Sequence, residues 1–264
     1  MELVVCLKQV PDTAAEIKPL ADGSALDTAD LPWIINPYDE YALEEAIRIK
    51  ERLGGGTITA VTLGPERAAT ALRTALAMGA DKAVHITGPE FEGCDAAVTA
   101  NVLAKALSRA PFDLVLCGKM AVDSYDAQVG ILLAHRLGIA HMSCVVKIDV
   151  SADQKSLTAH CETDTGTETV ECDLPALVTA EKGLNEPRYP AVIAVMKAKQ
   201  KPLETLSAAD LGLSAAGAGA SGSRLRIVGW QQPPQRGQCR MLDGQPDEAA
   251  KELLRLLKEE AKAI

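Results

Sequence analysis

Short apolar runs alternate with amphipathic segments along the first 140 residues of the chain. The runs at 2–10, 57–64, 82–87 and 112–118 carry few charges, and the segments between them place apolar residues three or four positions apart. Apolar runs of this length predict strands that are buried on both faces, and the amphipathic segments predict helices. Strands that alternate with helices indicate an α/β fold, with a mostly parallel sheet covered by helices on both faces.

The predicted helices have recognisable terminal signals. They cover 37–53, 65–80, 95–110 and 125–138. Asn36 is expected to cap the first helix, and Pro37 suits its first turn, where a missing N–H has no consequence. The glycines at 54–56 follow a helix and precede a strand, so they predict a helix C-cap and a turn rather than a phosphate cradle.

The pattern changes after Ile139. Four strand-like pieces at 142–150, 156–164, 167–173 and 175–180 are separated by turn residues, which predicts hairpins that extend or flank the sheet. Residues 207–223 are rich in Gly, Ala and Ser, 224–230 suggest an edge strand, and 246–264 form an amphipathic pattern. We therefore expect an α/β domain at 1–202, and a C-terminal arm and helix at 203–264 that must find a surface on this domain or on a partner.

Composition narrows the class of protein. The chain has 264 residues and a net charge of −9, which argues against nucleic-acid binding and against binding to anionic membranes. No leader peptide and no apolar stretch of membrane-spanning length are recognisable, so the protein is not expected to be membrane-embedded. Seven scattered cysteines without a CxxC pair predict reduced thiols in the cytoplasm and no metal site.

The carboxyl ends of the predicted strands are the expected place for a ligand. Three ends are candidates: 6–9, 63–64 and 117–119. The segment 117–130 leads from a strand into a helix, with Asp123 and Ser124 as possible caps, and free amides in its first turn would suit a phosphate. An ordinary loop between strand and helix is the simpler interpretation. No dinucleotide or P-loop motif is present, and no catalytic residue is predicted.

The segment 183–202, GLNEPRYPAVIAVMKAKQKP, follows neither a helical nor a strand period. An aliphatic run leads into lysines at positions 197, 199 and 201, with no acidic residue after Glu186. We expect its apolar tip to be exposed, because the lysines oppose its collapse onto the core.

Six longer segments together carry a family resemblance. They are CLKQVPDT, INPYDEYALEEA, TALAMGADKAVHI, DLVLCGKMAVDSYDAQVG, LPALVTAEKGLNEPRYP and MKAKQKP, in this order along the chain. Together they resemble the β subunit of electron transfer flavoprotein.

The resemblance implies a Rossmann-like domain that binds an adenine nucleotide, with a structural AMP in this subunit. It implies a 1:1 heterodimer with an α subunit that holds FAD, and electron transfer from acyl-CoA dehydrogenases of fatty acid oxidation to a membrane quinone oxidoreductase. The chain would then be an electron carrier subunit and not a catalyst on its own. The positions that match the family's nucleotide contacts are Cys6, Asn36, Pro37, Tyr38, Asp39, Leu63, Gly118, Lys119, Met120, Ala121, Asp123, Ser124, Tyr125, Asp126, Ala127, Gln128 and Val129.

The resemblance also implies two contacts with partners. Glu162 matches a glutamate that approaches the partner's flavin domain, and Thr13 stands where some members have a tyrosine near the flavin. The segment 183–202 resembles a loop that docks acyl-CoA dehydrogenases, with Val192 at an anchor position that is usually leucine. The docking residues are Tyr189, Val192, Ile193, Met196 and Lys197. Asp126 departs from the family, whose members have Cys or Thr at this position of the phosphate loop, and a carboxylate there would repel a phosphate.

Two alternatives remain open. In an electron-bifurcating branch of the family a second FAD replaces AMP; KQVPDT and AQVG favour that branch, whereas MKAKQKP does not. The second alternative is a non-redox nucleotide-binding stress or scaffold protein, against which the docking segment and Glu162 argue.

Overall fold

The computed structural model describes residues 1–214, 217–234, 237 and 239–264. The chain divides into two compact units. The first contains residues 1–17 and 27–228, and the second contains residues 18–26 and 229–264.

The first unit is built on a nine-stranded sheet. The strands of the described chain are β1 (Glu2–Cys6), β2 (Gln9–Pro11), β3 (Trp33–Ile35), β4 (Thr57–Leu63), β5 (Lys82–Ile86), β6 (Leu114–Gly118), β7 (Ala140–Val150), β8 (Ser156–Thr163), β9 (Gly166–Asp173), β10 (Ala176–Ala180) and β11 (Leu203–Leu206). The order in the sheet is β11-β5-β4-β1-β6-β10-β7-β8-β9, and β2 pairs with β3 in a separate ribbon.

The sheet is mostly parallel. The strands from β11 to β7 in that order run parallel to one another, whereas β8 and β9 continue the sheet as antiparallel hairpins. The prediction of a mostly parallel α/β sheet extended by hairpins is confirmed.

Helices cover both faces of the sheet. They are α1 (Pro37–Leu53), α2 (Ala69–Met78), α3 (Ala96–Leu107), α4 (Val129–Leu137), α5 (Val192–Ala198), α6 (Gly219–Gly222) and, in the second unit, α7 (Pro246–Glu259). Alternate residues of β1 face opposite sides, so Leu3 and Val5 pack with α1 and α2, whereas Val4 and Cys6 pack with α3 and α4. Within the described ranges, every helix is too short or too polar to span a bilayer.

Two predicted helical features differ from the structure. The fourth helix starts at Val129 rather than at 125, because Tyr125 and Ala127 adopt positive φ angles of 56° and 51° that interrupt a helix. The segment 183–202 does contain a helix, α5, although its sequence shows no helical period. This helix has only seven residues, too few for a periodic pattern to be recognised.

The predicted edge strand at 224–230 is wrong. All of these residues are described, and none is in a strand. The sheet edge beside β5 is instead taken by β11, which pairs Leu203 with Ala83 and Leu206 with Ile86. Leu225 and Ile227 remain 71% and 69% exposed.

The first unit extends past the predicted boundary at 202. Leu206, Leu211 and Ala218 are buried in the same core as α3. The cause is hydrophobic: Leu206 of β11 and the few apolar residues within 207–223 bury their side chains against the sheet. In the second unit, the helix predicted near the C-terminus is present as α7, and none of its residues, all of which the structure describes, is buried.

Candidate functional site

The strand order places a switch point between β1 and β6. From β1 the chain proceeds to β4 and β5 on one side, and then crosses to β6 on the other side. In open α/β sheets, ligands bind outside the carboxyl ends of the strands at such a point. The loops that follow Cys6 and Gly118 therefore border the candidate ligand crevice.

A buried carboxylate joins these two strand ends. Asp39, in the first turn of α1, is 6% exposed. Its Oδ2 accepts the N–H of Lys8 at 2.7 Å and its Oδ1 accepts the N–H of Gly118 at 2.9 Å. Burial raises the pKa of Asp39 to about 7, against the opposing effect of the two N–H donors.

Gly118 permits this close approach. A Cβ atom at this position would lie 2.4 Å from Oδ1 of Asp39 and 2.6 Å from Cβ of Tyr38. No larger residue fits unless α1 moves away from the end of β6. The floor of the crevice therefore depends on a glycine at the end of β6 and a carboxylate at the start of α1.

Asn36 occupies the N-cap position of α1, but its side chain does not cap the helix. Its Nδ2 donates to the carbonyl of Met120 at 2.9 Å, and its Oδ1 accepts the N–H of Val122 at 3.0 Å. The predicted capping role is wrong, because the amide pairs with the backbone of the loop after β6 instead. Asn36 thus fixes the first part of that loop over the crevice.

The second part of the loop exposes backbone donors. The left-handed residue Ala127 directly precedes Gln128, which is right-handed with φ −102° and ψ −35°. Gln128 is the N-cap of α4, so the predicted caps Asp123 and Ser124 do not have that role. Within the described chain, no acceptor pairs with the N–H groups of residues 128–131. Such a group of amides at a helix N-terminus suits an anion.

Ion pairs surround the crevice. Lys8 Nζ lies 2.7 Å from the carboxylate of Asp123, which ties the loop after β1 to the loop after β6. Lys119 pairs with Glu181, and this hydrogen bond raises the pKa of the lysine. Asp126 accepts a hydrogen bond from the hydroxyl of Ser124 at 3.2 Å. The amides therefore favour a phosphate, whereas the carboxylate of Asp126 on the same loop opposes it.

The other residues that were predicted to line the crevice are buried in the core or lie close to the two loops. Cys6 and Cys117 are buried and hydrogen-bonded to each other, which together with burial raises the pKa of the Cys117 thiol. Leu63, at the end of β4, packs on the core of the α3 face. Pro37 is the first residue of α1, Met120 and Ala121 are half-buried, and the Tyr38 ring lies 5.6 Å from Lys119 Nζ.

The two residues predicted near a partner's flavin are both exposed. Glu162 lies on β8. The pKa of the Cys144 thiol is raised mainly by burial; the charge of Lys119 lowers this pKa, and the charges of Glu181 and Glu162 raise it. Thr13 lies in the loop after β2, and within the described chain no hydrogen bond joins it to the crevice.

The sequence interpretation missed several residues at this edge. Glu181 follows the end of the parallel strand β10, a signal that the carboxyl-end rule would have selected, whereas Lys8 lies within the candidate end at 6–9 but was not named as a site residue. Cys144 sits at an irregular point of β7 with φ 55°, and its N–H donates to the Thr179 hydroxyl at 3.1 Å. No sequence signal indicated that position.

The predicted docking residues form a separate surface. Here we call the exposed residues from Tyr189 to Lys197 the apolar tip. Tyr189 is 97% exposed, Val192 79%, Ile193 67% and Met196 66%, and Lys197 is also exposed. The expected exposure of this tip is confirmed. Lys201 differs from the other lysines, since its ammonium group donates to the carbonyls of Leu76 and Ala80 near the end of α2.

The described features define a mostly parallel α/β protein with a candidate ligand crevice at its switch point. The sequence model of the electron transfer flavoprotein domain matches residues 24–211. The electron transfer flavoprotein β subunit of Bacillus subtilis (strain 168) is 42% identical over 265 residues, covering 100% of both chains. The chain belongs to the electron transfer flavoprotein family, as a member of its β-subunit group.

Two further relatives have the same extent. The electron transfer flavoprotein β subunit of Thermoanaerobacterium thermosaccharolyticum is 38% identical, covering 97% of this chain and 98% of its own. The caffeyl-CoA reductase-Etf complex subunit CarD of Acetobacterium woodii is 36% identical, covering 98% of both chains. The similarity therefore includes both structural units.

The raised pKa of Asp39 makes a prediction about stability and pH. Between about pH 4 and pH 7 the folded state binds more protons at this carboxyl than the unfolded state does, so its contribution to the free energy of unfolding falls as pH rises. In Asp39→Asn that contribution is absent, although one of the two N–H donors loses its acceptor at every pH. Urea unfolding of both proteins at pH 5, 6, 7 and 8 should therefore show the largest advantage of the wild type at pH 5. If the free energies of unfolding of the two proteins changed in parallel with pH, the raised pKa of Asp39 would be contradicted.

Proposed function

We propose that this chain is the β subunit of a heterodimeric electron transfer flavoprotein. An α subunit holds the FAD, and electrons pass from acyl-CoA dehydrogenases through this FAD to a membrane quinone oxidoreductase. The β subunit binds a structural AMP in the switch-point crevice and docks the dehydrogenase through the apolar tip. The observation that carries the proposal is that the N–H groups of residues 128–131, in the loop and first turn that follow β6 at the crevice, have no acceptor within the described chain.

The nucleotide site rests on backbone chemistry. The N–H groups of residues 128–131 provide donors for phosphate oxygens, and Asp39 and Asn36 hold the two loops in place beneath them. Lys8 and Lys119 border the crevice but are already paired with carboxylates. A bound phosphate would therefore depend mainly on the amides.

The α-subunit interface is proposed to include the second unit and the segment before it. α7 has Leu253 and Leu254 each 48% exposed and no buried residue. Val228, at the end of the first unit, is 87% exposed. An amphipathic helix whose apolar face has no cover within its own unit is suited to bind a partner chain. Membership of the β-subunit group supports an α subunit as that partner.

A second candidate function is the one in which a second FAD replaces AMP. A relative that is named as part of a caffeyl-CoA reductase-Etf complex supports it, since that protein is paired with a reductase. The same amides would then contact a pyrophosphate. The non-redox alternative has no comparable support, because the family similarity extends along the whole chain. We place the protein in the cytoplasm because all seven cysteines are free thiols.

Asp126→Asn should increase the affinity for the nucleotide. Removing one negative charge close to the phosphate site is worth about 1 kcal/mol, or roughly a fivefold lower Kd for AMP. The measurement is AMP binding to the nucleotide-depleted αβ complex by calorimetry at two salt concentrations, and the difference should shrink at the higher one.

Asp153→Asn is the matched control. Asp153 also accepts a hydrogen bond from a serine hydroxyl two residues earlier, at 2.7 Å, but it lies in the turn between β7 and β8. Its substitution should leave the AMP affinity unchanged. Equal effects of the two substitutions, or none from Asp126→Asn, would count against a phosphate at the 128–131 amides.

Val192→Ala should weaken docking of the acyl-CoA dehydrogenase. It removes two methyl groups from an exposed anchor, worth about 0.8 kcal/mol for each buried group, so affinity should fall roughly 5- to 30-fold. The measurement is the rate of electron transfer to the αβ complex as the dehydrogenase concentration is varied. Because Val192 is 79% exposed, the melting temperature should stay within a degree of the wild type.

Lys197→Glu provides a contrast for the docking experiment. An exposed charge at the rim of a contact affects mainly the association rate, so its effect should diminish with added salt, whereas that of Val192→Ala should persist. A titration unchanged by Val192→Ala would show that the apolar tip does not contact the dehydrogenase.

A further inference from the structure

A buried carboxylate of α1 lies beneath the start of the docking segment. The Glu44 side chain is 2% exposed and contacts two arginines. Arg188 donates to it through Nε at 2.8 Å and Nη2 at 3.1 Å, and Arg48 donates through Nε at 2.7 Å. Burial raises the pKa of Glu44, but the arginine hydrogen bonds outweigh it and leave the pKa below its usual value, so the group is charged at neutral pH.

Further bonds tie the same stretch to α1. Arg188 also binds Glu51 through Nη1 at 2.7 Å and Nη2 at 3.0 Å. Arg48 Nη2 donates to the carbonyl of Glu186 at 3.0 Å, and Asn185 Nδ2 donates to the carbonyl of Tyr41 at 3.0 Å. Residues 185–188 are therefore fixed on α1 immediately before the apolar tip.

The other end of the tip is fixed on α2. Arg73 Nη1 donates to the carbonyls of Ala198 and Lys201, at 2.9 and 3.1 Å. Lys201 Nζ in turn donates to the carbonyls of Leu76 and Ala80, at 2.9 and 2.6 Å. Ala198 is the only buried residue of α5.

Between these two anchors α5 lies against α2, but it buries only one of its side chains, that of Ala198. α5 has seven residues, too few for a helix that is stable by itself in water, and most of its side chains are exposed. Its conformation therefore depends on the ties at both ends. A segment already ordered before binding loses less conformational entropy when it docks.

We propose that Glu44 is a positioning residue for docking: with Arg188 it holds the apolar tip in the conformation that the dehydrogenase binds. This inference rests on the proposed docking function of the tip. Glu44 cannot itself touch a partner because it is buried under Arg188, so any effect it has on docking passes through the segment above it.

Glu44→Gln tests the inference in the assembled αβ complex. The substitution keeps the shape and removes the charge that Arg188 and Arg48 share. If it lowers the docking-competent fraction of the tip to about one fifth, the dehydrogenase concentration for half-maximal rate should rise about fivefold with kcat unchanged. This rise should persist at high salt, unlike the effect of a rim charge. Arg188→Lys, which keeps the charge but loses the forked geometry, should give a smaller rise.

A second measurement needs no partner. Amide hydrogen exchange of residues 189–199 should become faster in Glu44→Gln, while exchange in β1, β6 and the remainder of α1 stays protected. Arg109→Gln is the matched control, since it removes an arginine charge from an exposed pair with Glu204, 3.0 Å apart and outside the docking segment. It should change neither exchange in 189–199 nor the titration. Retained protection elsewhere excludes general unfolding as the cause.

The outcomes separate the two proposals. Unchanged exchange in 189–199 would overturn the positioning role. So would a titration altered by Arg188→Lys but not by Glu44→Gln, because Arg188 would then contact the partner directly. If exchange becomes faster but the titration does not move, the positioning role is also overturned. In that case, weaker docking in Val192→Ala would still support the docking function of the apolar tip. If Val192→Ala also had no effect, the docking function would be overturned together with the positioning role of Glu44.

Discussion

The carboxylate of Asp39 links the carboxyl ends of β1 and β6, the two strands at the switch point of the sheet. It accepts the N–H of Lys8, two residues after β1, at 2.7 Å, and the N–H of Gly118, at the end of β6, at 2.9 Å. Gly118 makes the contact possible because a Cβ atom there would overlap the carboxylate. The loop after β6 leaves this junction and is held further along by Asn36, so the crevice and the free amides at the start of α4 depend on the junction.

The docking surface uses the same helix in a different way. The first turn of α1 organises the crevice, whereas its later turns hold Arg188 through Glu44 and Glu51. A buried charge is destabilising when it is unpaired. Asp39 accepts two backbone N–H groups, and Glu44 accepts hydrogen bonds from two arginines. In the proposed function, one helix therefore supports both the nucleotide crevice and the segment that contacts the dehydrogenase.

The sequence predicted the parts of the fold that depend on hydrophobic period. The strands at 57–64 and 112–118, the hairpins after Ile139 and the C-terminal helix all follow from local pattern. Two features did not, for physical reasons. The loop at 125–128 depends on positive φ angles at Tyr125 and Ala127, which their side chains do not signal. The bonds from Arg188 to Glu44 join residues 144 positions apart, and sequence pattern carries no information about such contacts.

The candidate site was predictable to a similar degree. The carboxyl-end rule and the family resemblance both selected the loop after β6, yet the side chain of Asn36 binds that loop rather than capping α1. Local capping preference could not anticipate this, because the competing partners come from residue 120 onward. Tertiary hydrogen bonds decided the role of a residue whose position was correctly predicted.

In the proposed function, the crevice holds an adenine nucleotide as a structural ligand of an electron-carrying heterodimer. The most direct test is to purify the αβ complex without added nucleotides, release its ligands by denaturation and count them by chromatography. We expect one FAD and one AMP for each heterodimer. Two FAD and no AMP would contradict it in favour of the second candidate function, and a single FAD with no other nucleotide would contradict the crevice as a nucleotide site.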